Sequence, residues 1–176
     1  MKRTEVIISG LGGQGVILAG QILGKAAVYD GKNAVQTQSY GAEARGSAAQ
    51  SEVIISDGST GFPVVRKCDI LVAMSQEALD KNAEDLKEGG RLIVDSLFVK
   101  KIPNAKAKTI QIPATETAEK TFGSRICANM IMLGAVIKAT RVVSPEAVRK
   151  AIEDTVSQEF VNTNLAAFEK GIELVQ

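Results

Sequence analysis

The sequence predicts an α/β fold, a single domain in three layers with a mostly parallel sheet between helices. Three observations carry that prediction. Short apolar runs of strand character alternate with segments of helical spacing along most of the chain. The run Gly10-Leu11-Gly12-Gly13-Gln14-Gly15 lies between an apolar stretch at residues 5–9 and a helical stretch that begins at Val16, which spells strand, glycine turn and helix. A length of 176 residues suits one domain of ordinary size, one that buries on the order of 70% of the surface its unfolded chain exposes.

Each element follows from local pattern. The first helix, residues 16–29, carries Val16, Ile17, Ala19, Ile22, Leu23 and Ala26 at helical spacing, and Gly31 stops it. A second strand covers residues 34–38. Residues 49–55 form another, entered from the glycine-rich loop 39–47 and closed by Ser56-Asp57-Gly58-Ser59. These two strands predict a long antiparallel excursion. Residues 69–74 read as a buried central strand, and Ser75 is placed to cap a helix over 76–84. Gly89-Gly90 end that helical region, and strands follow at 91–95 and 109–112. The remainder is mostly helical. Residues 129–138 are apolar almost all round, which predicts burial against the sheet or a partner. Ser144-Pro145-Glu146 opens a helix with a cap, a proline at the first position and an acidic first turn. The last helix, residues 164–175, aligns Leu165, Phe168, Ile172 and Val175 on one face. No repeat, linker or second domain interrupts residues 1–176.

Composition removes several classes of function. Lys and Arg number 21 against 20 Asp and Glu, with no long run of one sign, so nucleic acid is not an expected partner. The longest apolar stretch, residues 130–137, falls far short of the ~20 residues that span a bilayer, so no membrane role is expected. The charged start Met1-Lys2-Arg3 leads into a segment broken by Glu5 and Gln14 with no cleavage pattern, and the chain reads as cytoplasmic. There is no histidine, which excludes Ser-His-Asp and Cys-His nucleophile pairs and any His-ligated metal. Cys68 and Cys127 are far apart, without the spacing of a redox pair, structural zinc or iron–sulfur ligand set, and read as buried reduced thiols.

The glycine turn matches G-x-G-x-x-G, in which glycines permit a tight turn and the following helix offers unpaired N–H groups to a phosphate. The fold is therefore Rossmann-like. A dinucleotide reading also asks for an acidic residue at the end of the second strand, to hold ribose hydroxyls. Residues 34–38 end without one, and Asp30 falls in the preceding turn. A phosphate-bearing ligand other than a dinucleotide is one reading. Glycines that serve only helix-on-sheet packing are the other.

Gly10-Leu11-Gly12-Gly13-Gln14-Gly15-Val16, Ser39-Tyr40-Gly41-Ala42-Glu43-Ala44-Arg45-Gly46 and Met74-Ser75-Gln76-Glu77-Ala78 together resemble the gamma subunit of 2-oxoacid:ferredoxin oxidoreductases, and among these the 2-oxoglutarate synthase type. The resemblance extends over nearly the whole chain, including residues 129–135 and 164–171. Ser47 departs from it, where such chains often carry a further glycine. The resemblance implies a gamma-type catalytic domain over residues 1–176, in a complex that converts a 2-oxoacid and coenzyme A to an acyl-CoA and carbon dioxide. It further implies that electrons pass through thiamine diphosphate, Mg²⁺ and iron–sulfur clusters on partner subunits to ferredoxin. The implied partners are alpha, beta and ferredoxin-like delta subunits, and the isolated chain is expected to be inactive and to form a homodimer. Alternatives are the small subunit of an indolepyruvate ferredoxin oxidoreductase and a non-catalytic scaffold subunit whose glycine turn packs against a partner subunit.

The resemblance implies coenzyme A binding at Gly10, Gly12, Gly13, Gln14, Gly15, Tyr40 and Arg45, with no catalytic residue and no metal ligand in this chain. Gly12 and Gly13 are expected to present N–H groups to a phosphate, and Gln14 to add its amide. Arg45 suits bidentate pairing with phosphate oxygens, or pairing with Glu43 or another subunit. Tyr40 suits stacking on adenine, or an interface. Asn129 reads as a helix cap.

Overall fold

In the computed structural model, which describes residues 2–41, 47–103 and 106–176, six strands form one sheet flanked by helices. The strands are β1 (Arg3–Leu11), β2 (Asn33–Tyr40), β3 (Ala48–Ser56), β4 (Cys68–Ala73), β5 (Leu86–Asp95) and β6 (Lys108–Ile112), in the spatial order β2-β3-β1-β4-β5-β6. The helices are α1 (Val16–Tyr29), α2 (Gln76–Asn82), α3 (Ala114–Phe122), α4 (Ala128–Thr140), α5 (Pro145–Thr155) and α6 (Val161–Leu174).

The excursion is narrower than the sequence suggests. β3 pairs antiparallel with both β1 and β2, so β2 runs parallel to β1, and only β3 is reversed. It is wedged between the first two strands. Pairing along β1–β4, β4–β5 and β5–β6 is parallel.

Alternation along the strands divides the interior into two cores. Val6, Ile8, Val72 and Ile93 face a layer built from α1, α3, α4, α5 and α6, while Ile7, Ile54, Leu71 and Leu92 face α2 and the connecting segments around Val65 and Val99. One face is therefore covered by five helices and the other by one short helix and loops.

Two expectations are corrected. Gly89 and Gly90 do not end a helix. They lie inside β5, whose register against β4 shifts between Cys68↔Leu86 and Ile70↔Arg91, and the positive φ of 78° at Gly89 absorbs the extra residues. The apolar α4 is not an association surface, because residues 128–137 are all buried by their own chain. Gly134 and Gly171 let the α4 and α6 backbones meet so closely that a Cβ on either would collide with the facing helix.

Candidate functional site

The chain leaves β1 toward β2 and β3 on one side, then returns to place β4, β5 and β6 on the other. That reversal makes a topological switch point between β1 and β4. In open α/β sheets the crevice outside the carboxyl ends of such strands is where ligands bind. Two joints meet there, the glycine turn after β1 and the Met74-Ser75 turn after β4.

The glycine turn leaves the start of α1 open. Gly15 precedes the helix in a left-handed conformation, φ 76° and ψ 23°, and as a glycine brings no side-chain cap; among the described residues none is supplied in its place. The first N–H groups of α1 have no intrahelical acceptor, and the aligned peptide dipoles make this end attractive to an anion. Gly13 has φ 91°, and among the described residues nothing lies within 4 Å of where its Cβ would stand. No described residue covers its side of the turn. Gly12, by contrast, donates its N–H to the Ser47 carbonyl at 2.8 Å, so this amide is not directed at a ligand.

Gln14 also differs from expectation. Its Oε1 accepts the Leu11 N–H at 2.7 Å, and its Nε2 donates to the Met74 carbonyl at 2.9 Å. The amide is turned inward, bridging the two joints. Gly10 makes room for it, since a Cβ there would lie 2.5 Å from that Oε1 and 3.2 Å from the Met74 Cβ.

Tyr40 ends β2 in one row with Ala49 and Gly10 across three strands. It is 63% exposed. Alternation from Gln36, which meets Ser51 beneath α1, puts Tyr40 on the α1 face about 10 Å from Gly10. Arg45 and Glu43 lie outside the described residues. The residues flanking their segment are anchored beside the turn: Ser47 accepts from Gly12, and Gly41 donates to the Ala48 carbonyl at 2.6 Å.

Asn129 is not the N-cap of α4, although its Oδ1 accepts the Met130 N–H at 2.8 Å. It is the second residue of α4 and 2% exposed, and its Nδ2 donates to the Gly15 carbonyl at 3.2 Å across 114 residues of sequence. Local pattern carries no signal of so distant a contact. A Cβ on Gly15 would collide with this amide. Asn129 also lines a groove of about 490 Å³, whose walls include Leu18, Phe122, Ile126, Cys127 and Phe160.

The two cysteines belong to opposite cores, Cys127 on the α1 side of the sheet and Cys68 on the α2 side. They cannot share a ligand. Burial pushes the Cys68 thiol up to about 12, and burial raises Cys127 as well. Neither has the lowered pKa of a reactive thiolate.

The fold also explains why a dinucleotide is a poor match. Because β3 separates β2 from β1, an acid at the end of β2 would stand two strand spacings from the turn instead of one. Asp30, at the C-terminal end of α1, accepts from the Ser144 N–H at 2.6 Å and the Ser144 hydroxyl at 2.7 Å. It braces the start of α5. Among the described residues no helix is long and apolar enough to cross a membrane.

Comparison with known proteins gives a consistent result. The family model described as pyruvate ferredoxin/flavodoxin oxidoreductase matches residues 5–174. The 2-oxoglutarate synthase subunit KorC of Methanocaldococcus jannaschii is 50% identical over 99% of this chain and 95% of its own. A solved gamma subunit of a keto/oxoacid ferredoxin oxidoreductase from Geobacter sulfurreducens is 50% identical and superposes with a TM-score of 0.87, covering 97% of this chain and 96% of that one. The 2-oxoglutarate:ferredoxin oxidoreductase of Magnetococcus marinus, solved with 2-oxoglutarate, coenzyme A and succinyl-CoA bound, has the same fold at a TM-score of 0.88. It is 24% identical, and the match covers 99% of this chain and 31% of that longer one.

Proposed function

We propose a function whose premise is that the chain belongs to the pyruvate ferredoxin/flavodoxin oxidoreductase family, as a gamma-type subunit of a 2-oxoacid:ferredoxin oxidoreductase. The complex it serves oxidises 2-oxoglutarate with coenzyme A to succinyl-CoA and carbon dioxide, and reduces ferredoxin. This chain seats the phosphate end of coenzyme A. Thiamine diphosphate with Mg²⁺ and the iron–sulfur clusters, held by the alpha, beta and delta subunits, supply decarboxylation and electron transfer.

The observation that carries the reading is the uncapped start of α1 at the switch point, with Gly13 uncovered by any described residue. A 14-residue helix with no side-chain cap leaves N–H groups that a phosphate satisfies, and the field of the helix favours the negative charge. Arg45, four residues beyond Gly41 in the sequence, supplies the charge-assisted contact, and Tyr40 the aromatic surface for adenine.

Kinetics of the assembled complex test this. Arg45→Ala removes one charge-assisted contact and is expected to raise KM for coenzyme A about 10- to 100-fold, with little change in oxoacid-dependent formation of the thiamine-bound intermediate. Gly13→Asp and Gly13→Asn impose the same backbone demand and differ in charge. Only the aspartate should raise KM about 10-fold or more. Unchanged KM in both Arg45→Ala and Gly13→Asp removes coenzyme A from this turn.

A further inference from the structure

We propose that Gln14 is the positioning residue of this site: without touching the ligand, its amide holds the glycine turn in the shape that presents the α1 N–H groups. The inference rests on the reading of the turn as the phosphate seat of coenzyme A.

Both ends of the Gln14 amide are engaged, by the last residue of β1 at 2.7 Å and by the Met74 carbonyl at 2.9 Å. Met74 is itself fixed, its N–H donating to the Ser9 carbonyl of β1 at 2.9 Å. One planar group therefore spans β1 and the end of β4 where the crevice opens. Gly10 is shaped for it, leaving vacant the space that a Cβ would take from Oε1. The latch is needed because the turn is otherwise weakly determined. Glycines at 12, 13 and 15 sample both signs of φ in the free chain, and two of them are held at positive values here. Among the described residues the other ties are the backbone bonds from Gly12 to Ser47 and Gln14 to Leu11, and the Asn129 contact at Gly15. A ligand that fits only the latched turn binds with an affinity reduced by the fraction of molecules in that state. Gln14 raises that fraction.

Gln14→Met keeps the length of the side chain and removes both hydrogen bonds. In the assembled complex it should raise KM for coenzyme A about 10-fold, corresponding to a latched fraction of about one tenth, while the oxoacid-dependent half-reaction keeps its rate. In the ligand-free full chain, amide exchange should quicken at Gly13, Gly15 and Val16 while β1 and β4 stay protected. Gly10→Ala presses on the same amide, so the double variant should exceed the worse single variant by little. If Gly13→Asp raises KM and Gln14→Met does not, the latch is wrong and the site stands. If neither moves KM, the reading of the turn fails and this inference with it. Equal loss of both half-reactions, with lost protection along β1 and β4, assigns Gln14 to the fold and overturns the proposal.

Discussion

The two joints at the switch point are built from the same parts and finished differently. After β4, Ser75 accepts the Ala78 N–H at 3.1 Å, so α2 begins with its own cap, and the serine is 6% exposed. After β1, Gly15 gives α1 no side-chain cap, and the adjoining Gly12 and Gly13 are exposed. A serine cap contributes about 1 kcal/mol, so the open joint forgoes stability that its neighbour takes. α5 takes it too, through Ser144 and the Ala147 N–H at 3.1 Å. α2 and α5 are the helices whose N-cap side chain closes the start; the N-cap residues of α1, α3, α4 and α6 make no such bond. Among the uncapped starts, that of α1 is the one that follows β1 at the ligand crevice of the fold and is led in by exposed glycines.

The largest test of this contrast is Gly15→Ala. The substitution asks for a positive φ of 76° in a residue with a Cβ and drives that Cβ into the buried Asn129 amide. Strain and overpacking together should cost about 3 kcal/mol, read as a lower urea midpoint with an unchanged m-value. The open joint would then be a rigid construction whose openness is fixed by its neighbours. A loss below about 1 kcal/mol would mark it as merely loose.

The dryness beneath the closed joint gives the next effect. Cys68 begins β4 with no exposure, and burial lifts its thiol to about 12. The unfolded thiol ionises near 8.5. Between these values the unfolded chain has lost a proton that the native chain retains, so stability falls as pH rises. The slope is about 1.4 kcal/mol per pH unit above about 9, and it is absent at neutral pH. Denaturant melts at pH 8 and pH 10 should diverge by about 2 kcal/mol more in the wild type than in Cys68→Ala, which keeps the contribution of the buried Cys127. A wild-type slope equal to that of Cys68→Ala would mean that water reaches the α2 side of the sheet.

Much of this architecture is legible in the sequence, and the misses share a cause. α1 was bounded at Val16 and Tyr29 by its own apolar spacing and the following glycine, and Ser75 and Ser144 were readable as caps, because each signal lies within one turn of the backbone it serves. The glycine turn was readable for the same reason. The place of β3 between β1 and β2 was not, since alternation gives a strand its faces without naming its neighbours. Gly89 and Gly90 were misread because a double glycine ends a helix and bulges a strand with equal ease. Gln14 looked like a ligand contact because its two acceptor and donor partners include Met74, 60 residues away. Asn129 looked like a cap for the same reason, with Gly15 still farther off in the sequence.

The smallest expected effect is also the most discriminating control. Ser75→Ala removes the α2 cap, which should cost about 1 kcal/mol, a few degrees of Tm in a chain of this size. Ser75 sits next to Met74, whose carbonyl receives the Gln14 amide. Its own hydroxyl, however, serves Ala78 and the α2 backbone and not the glycine turn. If the two joints divide their labour as described, Ser75→Ala lowers stability and leaves KM for coenzyme A unchanged. Gln14→Met, acting on the same Met74 from the other side, should raise KM about 10-fold. A rise in KM for Ser75→Ala comparable to that of Gln14→Met would mean that the two joints move together, and that the crevice is held by the β4 turn as a whole and not by the single amide that crosses it.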